Sequence, residues 1–240
     1  MIGLRPSTDR PLTVRPSDHM PTLSLSAIIQ ESLPPVPSVA PCPATAKIVV
    51  LDDDPTGTQT IHGIPVLTTW EMPVLAAALQ EPGPGFFILT NTRAFPAERA
   101  RQINREIGRH LALATATTHR ALTVVSRGDS TLRGHFPAET DALLEGWGVP
   151  VDGTLLIPAF FAGGRFTIGD IHYVAEGDKL KPVAETEFAN DRSFGYRSSN
   201  LRDWVEEKTA GRIRAADGVS ISIDDLRLHG AQKGTQVLSA

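Results

Sequence analysis

Short apolar runs alternate with helical patterns along the chain from Lys47 onward. The runs are rich in β-branched residues, as in strands that a parallel sheet buries on both faces. They are KIVVL (47–51), IPVLTT (64–69), FFILTN (86–91), ALTVVS (121–126), GTLLIP (153–158) and VSISI (219–223). Strands that alternate with helices predict an α/β fold, here a three-layer, Rossmann-like domain with a mostly parallel sheet.

Three helices are predicted between and after these runs. The longest follows Pro96, because proline suits the first position of a helix, and it carries one apolar stripe. The stripe consists of Ile103, Ile107, Leu111 and Ala114. A second helix is predicted from Pro137, and a third begins near Ser199 or Asn200, either of which is a suitable N-cap.

Two segments depart from this alternation. Residues 1–45 hold nine of the nineteen prolines, and proline at this density interrupts both helices and sheet ladders. We therefore expect a disordered, Pro-rich tail over 1–45 and a folded domain over 46–240. Between Phe160 and Gly195 the pieces RFTI and IHYV alternate apolar and polar residues, which predicts an inserted β-hairpin.

Composition argues against several classes of function. The formal net charge of -4 provides no bulk attraction for nucleic acid or for an anionic membrane. Cys42 is the only cysteine, which excludes an internal disulfide and a cysteine-rich zinc site. No apolar run approaches the roughly 20 residues of a membrane-spanning helix, and the first residues lack the apolar stretch of a signal peptide. We expect a cytoplasmic protein that binds neither nucleic acid nor membrane.

Charged and hydroxyl side chains gather where three predicted strands end. The aspartates Asp52 to Asp54 follow the first run and precede a Pro-Thr-Gly turn. Arg93 follows the third run, and the segment from Arg127 to Arg133 follows the fourth. Ligands of parallel sheets bind at the carboxyl ends of the strands, and guanidinium groups bind planar oxyanions. The pattern predicts a site for a small anion that carries hydroxyl groups.

Each of these segments also has a purely structural interpretation. The aspartates would then only cap a turn or helix, and Arg93 would pair with a neighbouring acid. The segment from Arg127 to Arg133 would be a surface turn with solvated charges. Spacing alone leaves these alternatives open.

A phosphatase is a competing enzymatic interpretation of the same aspartates. VVLDDDPT matches the first signature of haloacid-dehalogenase-type phosphatases, with Asp52 as nucleophile and Asp54 as acid and base. The later signatures do not follow, because no lysine lies between Lys47 and Lys179 and no later strand ends in a suitable acidic pair. This alternative also gives the segment 127–134 no role.

Four motifs, taken in order, resemble the N-terminal domain of the four-carbon acid sugar kinase family. They are LDDDPTGTQT, TNTRAFPAE, SRGDSTLRGHFPAETDAL and GYRSSNLRDWVEEKTAGRI. The resemblance covers about residues 47–230. It implies an α/β domain that binds a sugar acid such as threonate, erythronate or 3-oxo-tetronate. A C-terminal domain of such a kinase binds ATP, and a terminal hydroxyl of the acid is phosphorylated.

The resemblance also implies roles for individual residues. Asp53 and Asp54 match the family's aspartate pair, which makes them the implied catalytic residues, with Asp54 also binding substrate. The other implied substrate-binding residues are Arg93, Arg127, Gly128, Asp129, Ser130, Thr131 and Arg133. Within that set the hydroxyl groups and Arg133 would hold the substrate carboxylate.

Three positions depart from the family's pattern. Arg127 and Gly128 stand where many relatives have lysine and an apolar residue, and Asp52 stands where alanine is commoner. We expect Asp52 to support the turn that follows it. No residues of the chain are predicted to bind a metal.

Cofactor and partner expectations follow from the same resemblance. Nothing in the sequence resembles the ATP-binding half, so ATP and Mg²⁺ are expected to bind mainly a C-terminal nucleotide-binding domain or subunit, and none within this chain. The chain alone would then bind the acid without turnover, as a fragment, a split enzyme or the product of an interrupted gene. A homodimer stays open, and the alternative function is a non-catalytic sugar-acid-binding module.

Overall fold

The computed structural model describes residues 22–30, 35, 46–58, 61–230 and 232. The chain divides into two compact units, which we name the parallel unit (Pro41–Pro150) and the antiparallel unit (Met1–Ala40 with Val151–Ala240). Each unit contains one four-stranded sheet. The predicted α/β fold with a parallel sheet and an antiparallel hairpin is confirmed.

The elements are numbered in chain order. The strands are β1 (Leu23–Ser24), β2 (Lys47–Asp52), β3 (Val66–Leu67), β4 (Gly85–Leu89), β5 (Leu122–Arg127), β6 (Arg165–Ile168), β7 (Ile171–Glu176) and β8 (Lys179–Pro182). The α-helices are α1 (Leu25–Ile29), α2 (Met72–Gln80), α3 (Ala97–Thr118), α4 (Ala138–Trp147), α5 (Leu201–Lys208) and α6 (Ile223–His229). None of the described helices has the length and apolar composition to span a membrane.

Topology explains why the helices of the parallel unit share one face of its sheet. The strand order is β3-β4-β2-β5, with all pairs parallel. The connections through α2 and α3 both move across the sheet in the same direction, so right-handed crossovers place both helices on one face. The connection from β2 to β3 runs the other way, and its described residues, 53–58 and 61–65, form no α-helix. Among the described residues of this unit, the α-helices thus form one layer, on one face of the sheet.

The core of the parallel unit lies under these helices. Strands β2 and β4 contribute Val49, Leu51, Phe86 and Ile88, and the helices contribute Leu75, Leu79, Ile103, Ile107, Leu111, Ala114 and Leu143. The stripe predicted for the longest helix is thus buried as expected. Burying each large apolar side chain contributes about 1.5–3 kcal/mol relative to exposure.

The face of this sheet opposite the helices carries charged side chains at the carboxyl ends of β2 and β5. Register aligns Val66, Phe87, Val50 and Val125 in one row across the four strands. Because side chains alternate along a strand, Asp52 points to the same face as Val50, beside Arg127 of β5. The sheet register therefore sets these two charged residues next to each other.

Helix starts in the structure follow the sequence signals closely. Pro96 and Pro137 occupy the N-cap positions of α3 and α4, so each helix begins one residue after the proline that was predicted to be its first residue. Asn200 is the N-cap of α5, and its side chain accepts hydrogen bonds from the backbone amides of Arg202 and Asp203. The N-cap prediction for this helix is confirmed.

The antiparallel unit has the strand order β1-β8-β7-β6. Its β6–β7 hairpin confirms the predicted insertion, and Gly169 and Asp170 make the two-residue turn, with φ values of 55° and 67°. Strand β1, within the predicted tail, pairs with β8 through Leu23 and Leu180. Apart from 22–30 and 35, the predicted tail lies outside the described residues.

Two predicted strands are wrong. The run at 153–158 makes only an isolated bridge at Thr154 and joins neither of the two sheets that the described residues form, and Leu155 and Ile157 are 53% and 68% exposed. The run at 219–223 is displaced by a helix start. Ser222 and Asp225 form a capping box that begins α6, and this local capping outweighs the β-propensity of the run. The predicted strand at 64–69 is confined to Val66–Leu67.

Candidate functional site

Three loops of the parallel unit meet at the carboxyl ends of its strands. The central strand β2 ends at Asp52, which is in register with Leu89 of β4 and Arg127 of β5. Parallel strands deliver the loops that follow them to one edge of the sheet. We call this region the aspartate–arginine edge, comprising Asp52–Asp54, Arg93 and residues 127–134.

Asp53 joins the loops together. Its buried carboxylate accepts two hydrogen bonds from Arg93, Nε to Oδ2 at 3.0 Å and Nη2 to Oδ1 at 2.5 Å. The backbone amide of Asp53 donates to the carbonyl of Arg127 at 3.4 Å, and the amide of Arg93 donates to the carbonyl of Asp53 at 3.2 Å. One residue thus links the ends of all three strands.

Burial raises the pKa of Asp53 to about 6, against the opposing effect of Arg93. The negative charges of Glu139 and Asp52 raise this pKa further. Asp53 is therefore ionised at neutral pH, where Arg93 holds it, and it takes up a proton when the pH falls near 6.

Asp54 has a different environment from Asp53. Its Oδ1 accepts hydrogen bonds from the Thr56 hydroxyl and from the Thr56 amide, the latter at 2.8 Å. Its Oδ2 lies 3.4 Å from Nη1 of Arg93, and 27% of its side chain is exposed. The Thr56 hydroxyl lowers the pKa of Asp54, despite partial burial. Asp54 is thus an ionised carboxylate with a face open to a ligand.

Asp52 is fully buried and pairs with Arg127. Its Oδ1 accepts a hydrogen bond from Nη1 of Arg127 at 3.0 Å, whereas its buried Oδ2 has no partner among the described residues. Burial raises the pKa of Asp52, although Arg127 acts in the opposite direction. The backbone amide of Asp54 also approaches Oδ1 at 3.5 Å, in line with the expected support of the turn.

Gly57 allows this pair to form. A Cβ atom at position 57 would lie 1.9 Å from Nη1 of Arg127 and 2.1 Å from Oδ2 of Asp52. Only glycine lets the backbone of the turn approach the ion pair so closely. The glycine of the Pro-Thr-Gly turn is thus explained by packing as well as by turn geometry.

The loop after β5 is ordered by its own polar side chains. Asp129 accepts hydrogen bonds from the Thr131 hydroxyl and from Nε of Arg133, the latter at 2.7 Å. The Arg133 side chain is 29% exposed. Gly134 has a φ of +138°, and a Cβ there would lie 3.4 Å from Oδ2 of Asp53. The loop therefore folds back beside the buried carboxylate.

The structure brings the sequence-predicted residues to one edge. Direct contacts join Asp53 and Asp54 to Arg93, and Gly128 and Ser130 lie in the loop that carries Asp129, Thr131 and Arg133. Sequence reasoning missed the direct pairing of Asp52 with Arg127. Asp52 and Arg127 are each the last residue of a six-residue strand, which was the available sequence signal. It predicts a pairing only if the two strands lie in register, and only the sheet reveals that register.

Sequence reasoning also missed two supporting groups. The buried hydroxyl of Thr90 donates to the carbonyl of Asp52 at 2.9 Å and lies 3.0 Å from the hydroxyl of Thr92. Glu139 is buried at the start of α4, where it accepts from Asn104 at 3.3 Å. The polar run TNT (90–92) directly after β4 was a sequence signal for the threonines.

The aspartates do not fit a magnesium ion by themselves. Within the described residues no group of three His, Cys, Asp or Glu side chains is arranged to hold a metal. Asp52 and Asp53 are instead engaged by arginines. A cavity of about 450 Å³ in the same unit lies elsewhere, at the amino ends of the strands, where Lys47 and Gly85 line it.

Comparison with known proteins agrees with this architecture. The family described as the sugar-binding N-terminal domain matches residues 48–238. A search of curated proteins gave no match. A DUF1537 domain from Bordetella bronchiseptica, solved with bound citrate as a domain-swapped dimer, is 25% identical with a TM-score of 0.50, over 66% of this chain and 39% of that chain. A DUF1537 protein from Haemophilus influenzae is 18% identical with a TM-score of 0.55, over 80% of this chain and 44% of that chain.

The match to these solved proteins is partial on their side. This chain spans 39% and 44% of their lengths. The family match, by contrast, extends over most of this chain, from residue 48 to residue 238. The chain therefore belongs to the sugar-binding N-terminal domain family of the four-carbon acid sugar kinases.

Proposed function

We propose that this chain is the substrate-binding part of an ATP-dependent kinase that phosphorylates four-carbon sugar acids such as threonate, erythronate or 3-oxo-tetronate. The observation that carries the proposal is the aspartate–arginine edge, where carboxylates and guanidinium groups from three loops converge. Membership of a sugar-binding family supports it. ATP and Mg²⁺ are bound by a C-terminal nucleotide-binding domain or subunit, which supplies the phosphoryl group.

The charges at the edge complement such an acid. Its hydroxyl groups need acceptors, which the open face of Asp54 provides. Its carboxylate needs cationic donors, which the loop from Arg127 to Arg133 provides. A neutral sugar would use the first feature but would place no carboxylate on the second.

The two aspartates of the family motif divide the work between them. The side chain of Asp54 is 27% exposed and that of Asp53 only 4%. Asp54 therefore accepts the hydrogen bond from the substrate hydroxyl and orients it for transfer, while Asp53 acts through Arg93. Positioning of this kind is the main contribution a protein makes to phosphoryl transfer.

One neighbour supports the chemical class of the ligand. The Bordetella bronchiseptica domain was solved with citrate, a small hydroxylated carboxylate. That protein is also a domain-swapped dimer, which supports a homodimer of this chain as a further expectation. A cytoplasmic location fits an enzyme that uses ATP.

Calorimetric titration of the full chain tests the proposal. Erythronate and threonate are each added with and without MgATP, and the polyols erythritol and threitol are the neutral controls. We expect at least one acid to bind more tightly than its polyol, and no phosphorylated product from this chain alone. Absence of binding by both acids would overturn the proposed function. Product formed without a partner would place nucleotide binding in this chain instead.

The Asp54→Asn substitution tests the role of the exposed carboxylate. We expect affinity for acid and polyol alike to fall about 10- to 100-fold, the scale of one lost hydrogen bond to a charged group. Asp217→Asn is the matched control, because Asp217 is also 27% exposed and paired with an arginine. Equal affinities for wild type and Asp54→Asn would assign the hydroxyl contact to another residue.

A further inference from the structure

The three arginines of the aspartate–arginine edge are engaged to different degrees. Arg93 directs Nε and Nη2 to Asp53 and Nη1 toward Asp54. Arg127 uses only Nη1, on Asp52, and its Nε and Nη2 have no hydrogen-bond partner within the part of the chain that the structure describes. Its side chain is 42% exposed. Nε and Nη2 of Arg127 are therefore donors that a ligand at this edge can use.

The free donors of Arg127 form a defined binding geometry. Nε and Nη2 constitute one side of the planar guanidinium group, and Arg93 uses this same side to bind the carboxylate of Asp53. The protein thus shows, at a neighbouring position, how a carboxylate docks on this side of an arginine. A ligand carboxylate on Arg127 would repeat that arrangement.

Asp52 fixes the opposite side of the same group. It lies at the end of the central strand, is 0% exposed, and holds Nη1 of Arg127 at 3.0 Å. The backbone of Gly57 packs so closely on the pair that a Cβ there would collide with both partners. A buried anchor of this kind restricts the long arginine side chain and reduces the entropy that binding would otherwise remove.

We propose that Asp52 is a positioning residue that holds Arg127 so that Nε and Nη2 receive the carboxylate of the sugar acid. This inference rests on the proposed function and deepens it, because it makes the Asp52–Arg127 pair the determinant that selects an acid over a neutral polyol. Arg133, bound to Asp129 and Thr131, then orders the loop beside the ligand.

For Asp52→Asn, a general effect of charge and a positioning role predict changes of opposite sign in the affinity for the acid. If Asp52 were only a negative charge near the site, Asp52→Asn would remove repulsion and strengthen binding of an anion. If Asp52 positions Arg127, the same substitution weakens binding of the acid and leaves the polyol unaffected. The sign of the change therefore separates positioning from a general field effect.

The test measures affinities of the full chain for erythronate and for erythritol. We expect Arg127→Gln and Asp52→Asn each to lower affinity for the acid about tenfold or more, the effect of one charge-assisted hydrogen bond, with polyol affinity within about twofold of wild type. Gly57→Ala should act in the same direction, because its methyl group displaces Nη1 of Arg127 while the charge of Asp52 remains. The matched control is Arg105→Gln, since Arg105 is 43% exposed and pairs with Glu145 at 2.8 Å.

The outcomes separate this inference from the proposed function. If wild type binds no sugar acid, both fall. If wild type binds erythronate and Asp52→Asn binds it equally or more tightly, the inference is overturned and the proposed function stands. Circular dichroism establishes that each variant is folded. If Asp52→Asn does not fold, Gly57→Ala decides, and an unchanged acid affinity in that variant overturns the inference.

Discussion

The two ends of the parallel sheet differ in chemistry although they share one core. At the carboxyl ends of the strands, four aspartates and three arginines lie close together. At the amino ends lies a cavity lined mainly by apolar and proline side chains, among them Pro65, Leu67, Val74, Ala77 and Pro82. Because every strand points the same way, one sheet can concentrate its charged groups at a single end.

The charged end carries an energetic cost that the apolar end avoids. Asp52 and Asp53 are 0% and 3% exposed, and burial disfavours their ionised forms. Arginines offset this cost. At the amino end, Lys47 donates to the carbonyl of Glu81 at 2.5 Å from an exposed position, where water competes. Removing a charged partner should therefore matter far more at one end than at the other.

The largest expected effect comes from Arg93→Ala. This substitution leaves Asp53 buried without its partner, and the free energy of unfolding at pH 7 should fall by about 3–5 kcal/mol. Urea denaturation followed by circular dichroism measures the change. The loss should be smaller at pH 5, where Asp53 takes up a proton. A loss under about 1 kcal/mol at pH 7 would remove the energetic contrast between the two ends.

The next largest expected effect is the change in the free energy of unfolding with pH that Asp53 causes. The pKa of Asp53 is about 6 in the folded chain against an ordinary value of 3.8, so folding favours its protonated form. Its stabilising contribution is complete below pH 3.8 and is lost as the pH rises through about 6, by about 3 kcal/mol in total. Denaturation of wild type and Asp53→Asn at pH 4, 5, 6 and 7 checks this.

The comparison with Asp53→Asn isolates one carboxyl group. The pKa of Asp52 is also raised and acts in the same direction, so the free energy of unfolding of the variant should still fall as the pH rises, but less steeply than that of wild type. Asp54 has a lowered pKa and acts oppositely, mainly below pH 3.8. If the free energy of unfolding changed with pH equally in wild type and variant between pH 4 and 6, Asp53 would not titrate in this range.

The smallest expected effect comes from Lys47→Ala at the amino end. The lysine contact is exposed, so the free energy of unfolding should change by less than about 1 kcal/mol. Erythronate affinity should not change, because the site lies at the opposite end of β2. Calorimetry and urea denaturation measure the two quantities. A large loss of acid affinity here would move the site toward the amino-end cavity.

Sequence patterns predicted the long and strongly patterned elements well. The apolar stripe of α3 and the buried strands β2 and β4 were evident, because side-chain period and apolar runs report burial directly. Strand β5 was also found, although none of its residues is buried. The run at 153–158 is also apolar, but it joins neither sheet of the described residues, and Leu155 and Ile157 are exposed. Composition describes a strand's suitability for a sheet, whereas pairing needs a partner strand in the right place.

The candidate site shows the same division. Its residues were found from strand ends and from a family resemblance, since both depend on local order along the chain. The pairing of Asp52 with Arg127 joins residues 75 positions apart, and the role of Gly57 depends on a backbone approach to both. Neither is visible in local spacing.

By itself, the sequence determined the long helix α3, the strands β2, β4 and β5, and that acids and arginines follow these strands, because these features are local. Only the tertiary structure decided which carboxylate meets which arginine, and which aspartate stays open to a ligand. The physical reason is that strand register and burial fix distances and pKa values, and both arise from contacts between distant parts of the chain.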